Sequence, residues 1–180
     1  MKDTLNLPKT KFSMKANLAQ KEPEILKFWE EINLYDALQE QNKDKPKFTF
    51  HDGPPYANGP IHLGTSINKT LKDIACKSRL LSGYNISFVP GWDCHGLPIE
   101  LNVEQKSGKP NKDISAKDFR AKCRDYANQQ IAIQKKDFKR LGVLADWNNP
   151  YKTMDYSFEA GIIRALSEIV KSGHLVKGDK

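Results

Sequence analysis

The chain has 180 residues, of which 38% are hydrophobic and 28% charged, and its formal net charge is +7. This composition excludes a disordered chain, and no apolar run approaches the roughly 20 residues that a membrane helix needs. Three cysteines without paired spacing argue against a disulfide framework or a closed zinc site, so we expect a cytoplasmic protein and no metal ligands in this chain. The basic balance is compatible with a nucleic-acid partner, but ordinary surface lysine gives the same charge.

The N-terminal region predicts one amphipathic helix. Apolar residues recur at near-helical spacing from Ile25 onward, and Pro23 occupies a position where the first turn of a helix tolerates proline. We expect this helix to run from Pro23 to about Gln41. The chain is therefore divided into a helical N-terminal extension, residues 1–45, and an α/β domain, residues 46–180.

A strand–helix–strand unit is predicted next. The segments 48–52 and 85–90 have the alternation and the aromatic or β-branched residues that are typical of strands. Between them, apolar residues at helical spacing predict a helix that begins near Thr65, with Thr65 or Ser66 as its N-cap and Gly83 just after its C-terminus. A helix between neighbouring strands implies parallel pairing and a right-handed connection.

The second half of the chain is predicted to be mainly helical. One helix begins near Pro98, a long one runs over residues 115–141 with Asp118 completing a capping-box-like pair, and an amphipathic helix covers residues 158–171. Residues 142–155 are predicted to be a loop. Because two strands alone make a poor sheet, the predicted α/β sheet is incomplete.

Two loops leave the carboxyl ends of the predicted strands, where open α/β sheets bind ligands. The first, residues 51–65, leads into a helix N-terminus, whose free N–H groups and partial positive charge attract phosphate. Gly64 would let a ligand approach the backbone, His62 could donate to a phosphoryl oxygen, and Lys69 could add a positive charge. An ordinary structural loop, with a polar histidine and a packing glycine, is the alternative.

The second loop carries Asp93, between Trp92 and the adjacent pair Cys94 and His95. A carboxylate at a strand end can bind an ammonium group or a ribose hydroxyl, or hold a metal. The alternative is an Asx-type turn in which Asp93 bonds the nearby backbone. Neither Cys94 nor His95 has a second partner at metal-ligand spacing, so metal binding is not favoured.

Two stretches carry a family resemblance: FTFHDGPPYANGPIHLGTSINKTLKDI, residues 48–74, and FVPGWDCHGLPIE, residues 88–100. They closely resemble the N-terminal catalytic region of the isoleucyl-tRNA synthetases, which are class I aminoacyl-tRNA synthetases, and the likeness extends from about Phe12 to Lys180. The resemblance implies the first half of a Rossmann-like nucleotide-binding fold. It also implies a cytoplasmic, monomeric enzyme that activates isoleucine with ATP and Mg²⁺ and charges tRNA(Ile), with zinc only in a C-terminal region outside this chain.

The two loops and the resemblance together predict seven site residues. HLGT, residues 62–65, aligns with the HIGH signature of class I enzymes, so His62 and Thr65 are the catalytic candidates. The predicted ATP-binding residues are His62, Gly64, Thr65 and Lys69, and the predicted amino-acid-binding residues are Gly53, Pro54 and Asp93, with Asp93 on the α-ammonium group.

Two departures from the family pattern limit this interpretation. Thr65 stands where the signature ends in histidine, and a hydroxyl can donate one hydrogen bond but cannot supply an imidazolium. The second ATP signature, KMSKS, is missing, so we expect the chain to stop before the editing insertion and to be inactive alone. Two other functions stay open: a free-standing HIGH-type nucleotidyl transferase, and a non-catalytic tRNA-binding or regulatory paralogue for which Thr65 is the only hint.

Overall fold

A computed structural model describes residues 15–178, which contain six helices and two short strands. In chain order the elements are α1 (Leu18–Glu31), α2 (Leu34–Asn42), α3 (Leu63–Leu81), β1 (Gly91–Trp92), α4 (Leu97–Ser107), α5 (Ala116–Arg140), β2 (Tyr151–Lys152) and α6 (Tyr156–Lys171). These residues belong to two compact units, the first ending at Leu34 and the second beginning at Tyr35. The boundary between residues 45 and 46 stays a prediction. No helix within 15–178 is long and apolar enough to cross a membrane.

The predicted single helix near the N-terminus is wrong, because the chain forms α1 and α2 instead. Asn33 lies between them with φ 47°, a left-handed conformation that a right-handed helix cannot include. The first of the two helices begins at Leu18, so Pro23 lies inside it and not in its first position. The apolar spacing that predicted one helix continues across Asn33 and therefore does not reveal the break.

β1 and β2 form a parallel pair in the second unit, with Gly91 opposite Tyr151 and Trp92 opposite Lys152. β2 lies in the segment 142–155, which was predicted to be a loop, so that prediction is wrong for two residues. A strand of two residues is too short to show an alternating pattern, which explains why the sequence did not indicate it.

The strands predicted at 48–52 and 85–90 are not formed as regular strands. Isolated parallel bridges join Lys47 to Asn85 and Tyr56 to Asp93 instead. Pro54 and Pro55 follow the first of these segments and Pro90 ends the second, and proline cannot donate a ladder hydrogen bond at these positions. The predicted parallel direction is nevertheless confirmed.

The core of the second unit packs aromatic side chains from the extended segments against α5. Phe50 meets Phe88 edge to face at 5.4 Å, and Trp147 contacts both Trp92 and Phe138 with ring centroids 6.3 and 6.4 Å away. Trp92 and Phe138 are completely buried. This packing fixes α5 beside the segment that ends in the predicted Asp93 loop.

α3 turns its polar side toward the core. Its buried residues are Lys69, Asp73 and Cys76, at helical spacing. The apolar residues whose spacing predicted this helix are exposed instead: Ile67, Leu71, Ile74 and Leu81. Periodicity therefore gave the correct secondary structure but does not identify which side of α3 faces the core of this chain.

Several predicted helix ends are confirmed and one is wrong. Gly83 and Gly142 have φ 85° and 79° just after α3 and α5, the left-handed conformation that ends helices. Ser115 caps α5 by accepting the N–H of Asp118 at 3.1 Å. The predicted cap of α3 by Thr65 or Ser66 is wrong, because the helix begins two residues earlier and His62 is its N-cap.

Candidate functional site

A cleft of about 420 Å³ opens at the N-terminus of α3. Its walls are the loop 53–60, the first turns of the helix, and Gln134 on α5. Five of the seven predicted site residues line it: Gly53, His62, Gly64, Thr65 and Lys69. Pro54 is the neighbour of a lining residue, and Asp93 lies outside the lining. The volume is within the range of small-molecule sites.

His62 is a capping residue as well as a cleft residue. Its Nδ1 accepts the backbone N–H of Thr65 at 3.3 Å, and its carbonyl accepts the N–H and the hydroxyl of Ser66 at 2.9 and 3.1 Å. A ring whose Nδ1 accepts a hydrogen bond carries its proton on Nε2 when neutral. The imidazole therefore offers one N–H donor from the nitrogen that the cap does not use.

Gly64 leaves room for the His62 ring. A Cβ atom at position 64 would lie 3.0 Å from Cε1 and 3.1 Å from Nδ1 of that ring. These distances are tighter than ordinary contacts, so a side chain here would displace the imidazole. The sequence predicted that Gly64 allows a ligand to approach; the structure adds that it also seats the histidine.

Lys69 is buried and paired, which sequence reasoning did not anticipate. The residue is 2% exposed, and its ammonium forms an ion pair with Asp52. Burial lowers the pKa of Lys69, and the hydrogen bond to Asp52 opposes that shift. A direct contact between this ammonium and a phosphate would require Nζ to leave Asp52, so the ATP-binding role of Lys69 stays a prediction.

Asp93 lies beside the cleft loop, and its carboxylate accepts only long hydrogen bonds from the contacts that the structure describes. Its backbone N–H donates to Pro55 at 2.9 Å and its carbonyl accepts from Ala57 at 2.8 Å. Oδ1 accepts from the backbone N–H of His95 at 3.4 Å, the predicted Asx-type turn, and from the Thr153 hydroxyl at 3.5 Å. Both contacts are at the long limit of hydrogen bonding, so a stronger donor can replace them.

Gln134 on α5 holds the loop of the cleft and was not predicted as a site residue. Its Nε2 donates to the carbonyls of Tyr56 and Gly59 at 2.9 and 2.8 Å, and its Oε1 accepts the indole N–H of Trp92 at 3.0 Å. The side chain is buried, and these three bonds occupy both of its amide hydrogens and its oxygen. It therefore fixes the loop and β1 to one helix.

Two further side chains of α5 contact the same loop. Gln130 accepts the backbone N–H of Gly59 at 3.1 Å, and the Tyr126 hydroxyl donates to Asn58 at 2.7 Å. Tyr126, Gln130 and Gln134 follow one another at four-residue spacing and so lie on one face of the helix. This run of polar groups on a partly apolar face was the sequence signal for their role.

A second cavity of about 160 Å³ lies next to the Asp93 loop, bounded by α4, α5 and α6. Within it, Glu159 Oε1 accepts from Arg124 at 2.7 Å and lies 3.1 Å from Nε2 of His95. Burial raises the pKa of both lining thiols, Cys94 and Cys123, which keeps them protonated near neutral pH. No group of three or more His, Cys, Asp or Glu side chains within residues 15–178 is placed to hold a metal ion.

The chain belongs to the class I tRNA synthetases, since the family described as tRNA synthetases class I (I, L, M and V) matches residues 24–180. Its fold is similar to that of a LeuRS from Agrobacterium radiobacter K84, solved as a ternary complex with tRNA and LeuAMS. The TM-score is 0.67 at 20% identity, over 88% of this chain and 18% of that one. The predicted α/β class, as part of a Rossmann-like fold, is thereby confirmed.

Within that family, similar curated proteins include isoleucine–tRNA ligases. Those of Nitrosococcus oceani and Francisella tularensis subsp. novicida are each 60% identical over 179 residues, and that of Shewanella piezotolerans is 59% identical. Each alignment covers 99% of this chain and 19% of the relative. The chain thus spans about one fifth of the length of the curated relatives that it matches.

Proposed function

We propose that this chain is the N-terminal part of the catalytic domain of an isoleucine–tRNA ligase. In that role it supplies one side of the site where isoleucine and ATP form isoleucyl-adenylate, before transfer to tRNA(Ile). The observation that carries the proposal is the cleft at the start of α3, in which His62, Gly64 and Thr65 stand together in a chain 60% identical to such ligases. The enzyme would work in the cytoplasm as a monomer.

The cleft suits the phosphates of ATP. In adenylate formation the isoleucine carboxylate attacks the α-phosphorus, pyrophosphate leaves, and negative charge moves across the phosphoryl oxygens. The Nε2–H of His62 and the N–H groups of Leu63 and Gly64 are donors that the cap does not use. They are held in place at the start of α3, which is how a site stabilises such charge without rearranging. The Thr65 hydroxyl would supply the one donor expected where the signature ends in histidine.

The donor set fits nucleotide phosphates better than a metal held by protein. The cleft lining contains no carboxylate, and the nearby Asp52 carboxylate is occupied by two lysines. Mg²⁺ prefers oxygen ligands and commonly binds through substrate phosphates. We therefore infer that Mg²⁺ would arrive on ATP, where it would neutralise phosphate charge, and that this chain's residues hold the nucleotide itself.

Isoleucine would lie between the start of the loop and Asp93. A Cβ atom at Gly53 would meet nothing within 4 Å, so the space beside this residue and Pro54 is open to an apolar side chain. The Asp93 carboxylate, with its two long hydrogen bonds, is available to an α-ammonium group. A charge-assisted bond to that group would be shorter and stronger than either present contact.

An Asp93→Asn substitution in the full-length ligase tests this assignment. It should raise the KM for isoleucine at least tenfold and leave the KM for ATP nearly unchanged, because only the ammonium contact is lost. Asp125→Asn, at an exposed position of α5, is the matched control and should change neither constant. An unchanged KM for isoleucine in Asp93→Asn would refute the ammonium role.

Neither alternative function is favoured by the comparisons. A free-standing nucleotidyl transferase would not be expected to match ligases at 60% identity over 179 residues. A non-catalytic paralogue rests on Thr65 alone. If Thr65→His left ATP binding unchanged while tRNA still bound, the paralogue would regain support; a change in ATP affinity supports the ligase.

A further inference from the structure

Asp52 joins three parts of the second unit through one buried residue. Its Oδ2 pairs with Lys69 and its Oδ1 with Lys72 at 2.6 Å, two lysines less than one turn apart on α3. Its backbone carbonyl accepts the Tyr151 hydroxyl of β2 at 2.8 Å. The next residue in the chain is Gly53, which lines the cleft.

Because Asp52 and its lysine partners are buried or partly buried, the carboxylate cannot readily leave its position. The Asp52 side chain is 0% exposed, that of Lys69 is 3% exposed and that of Lys72 is 23% exposed. A buried carboxylate is tolerated when charged partners and hydrogen bonds satisfy it, and separating it from them is strongly unfavourable. The start of the cleft loop therefore cannot move away from α3 without exposing unpaired charges.

The ammonium of Lys69 is held on its other sides by aromatic rings. Nζ lies 5.5 Å from the Phe88 ring centroid and 5.1 Å from that of Phe138. Both distances are within the range of cation–π attraction. Lys69 is thus fixed between the extended segment that contains Phe88 and helix α5, which contains Phe138. Its ion pair holds Asp52 in place relative to both.

The three charged groups do not cancel. One carboxylate faces two ammonium groups, which leaves a local excess of one positive charge, and Lys69 is part of the cleft wall. Charges that are partly buried are screened by salt less than exposed ones. The excess therefore acts on whatever anion occupies the cleft.

We propose that Asp52 is a positioning residue for the cleft. It fixes the loop that begins at Gly53 against the first turns of α3, and it holds Lys69 and Lys72, whose excess positive charge attracts a nucleoside triphosphate to the cleft. The positioning part stands on the geometry alone, whereas the nucleotide part rests on the proposed function. Each part has its own experiment.

Amide hydrogen exchange of the 180-residue chain tests the positioning part. Asp52→Asn alone would leave Lys69 buried and unpaired, so the variant to use is the uncharged double change Asp52→Asn with Lys69→Met. Exchange of the hydrogen-bonded amides of Ala57 and Gly59 should become at least tenfold faster than in the unsubstituted chain. Unchanged exchange at both amides overturns the positioning role.

A second ion pair on α3 provides the matched control. Asp73 pairs with Lys77 at 2.6 Å and accepts the backbone N–H of Leu144 at 2.9 Å, away from the cleft. Asp73→Asn with Lys77→Met should therefore speed exchange at Leu144 and leave Ala57 and Gly59 as they were. Equal acceleration of the loop amides by both double variants would mean general loosening, and would also overturn the proposal.

Kinetics of the full-length ligase test the charge part. Lys72→Gln keeps the buried Asp52–Lys69 pair but removes the excess charge, so the KM for ATP should rise about fivefold at low salt, with kcat and the KM for isoleucine unchanged. The effect should shrink at high salt, and Lys77→Gln should show none. An unchanged KM for ATP in Lys72→Gln overturns the charge part. An enzyme without ATP-dependent activity would refute the proposed function, while hydrogen exchange would still decide the positioning role.

Discussion

The ring nitrogen Nδ1 of His62 and the backbone nitrogen of Thr65 lie 3.3 Å apart, so the first histidine of the HIGH-like signature caps the helix that the signature begins. Nδ1 of the imidazole therefore has a structural role, and Nε2 is left for a ligand. The two roles can be separated by substitution, because asparagine caps helices well but carries no imidazole.

His62→Asn should preserve the fold and abolish most activity. Asparagine is among the best N-cap residues, and position 62 already has the extended backbone of an N-cap, φ −111° and ψ 171°. The free energy of unfolding of the chain should therefore stay within about 0.5 kcal/mol, the usual range for harmless surface changes. The kcat of the full-length ligase for adenylate formation should fall about 100-fold through loss of the Nε2–H donor.

His62→Ala is the control for this prediction. It removes both the cap and the donor, so it should lose the same activity and about 1 kcal/mol of stability in chemical denaturation. If His62→Asn retained full activity, the imidazole would have no role beyond capping.

Gly64→Ala should damage the site more than the fold. Alanine favours a helix over glycine by about 0.5–1 kcal/mol, but its Cβ would press on Cε1 and Nδ1 of His62. The gain in helix stability and the strain against the His62 ring oppose each other, so the Tm of the chain should change little. The KM for ATP should rise, because the ring is displaced. Gly161→Ala on α6, where a Cβ meets nothing within 4 Å, should stabilise the chain without affecting ATP. Identical kinetics in Gly64→Ala and the unsubstituted enzyme would contradict the seating role of this glycine.

Gln134→Met should destabilise the chain by about 2–4 kcal/mol in urea denaturation. The substitution keeps the side-chain volume nearly constant but leaves the carbonyls of Tyr56 and Gly59 and the indole N–H of Trp92 without their partner. Gln130→Met, which removes one bond to Gly59, should cost about 1 kcal/mol. Equal losses for the two variants would show that the buried network is not what holds the loop.

Stability should fall above pH 9 partly because of Cys76. Burial, with smaller contributions from Asp73 and Asp52, raises the pKa of this thiol from 9.0 to about 11. A raised pKa in the folded state means that its stabilisation is complete below pH 9 and disappears as pH rises through about 11. The free energy of unfolding should therefore fall more steeply between pH 8.5 and 10.5 in the unsubstituted chain than in Cys76→Ala. Parallel pH profiles of the two chains would contradict this assignment.

Local signals explain which parts of the fold could be predicted. Gly83, Gly142 and Ser115 mark helix ends through their own conformations or side chains, and the structure confirms all three. The strand boundaries depended instead on pairing between distant segments. Isolated bridges form there in place of regular ladders, so alternation alone overestimated the strands.

The position of the cleft could be predicted from the sequence, but the contacts around it could not. The HLGT stretch indicated where the cleft lies. The N-cap of α3 was nevertheless predicted at Thr65 or Ser66, because hydroxyl side chains are the usual N-caps and histidine is not. Lys69 was predicted to add a positive charge, and its ion pair was missed because its partner Asp52 lies 17 positions away. Gln134 contacts the loop across 75 and 78 positions, so the polar spacing on α5 indicates a role for it but does not identify its partners.

The most direct test of the account is isoleucine-dependent exchange of pyrophosphate into ATP, measured on the 180-residue chain beside the full-length ligase. We predict robust exchange by the full-length protein with isoleucine, and none by the isolated chain, which spans only 19% of the length of its relatives. Exchange by the isolated chain at the rate of the full-length protein, or no isoleucine-dependent exchange by either, would contradict it.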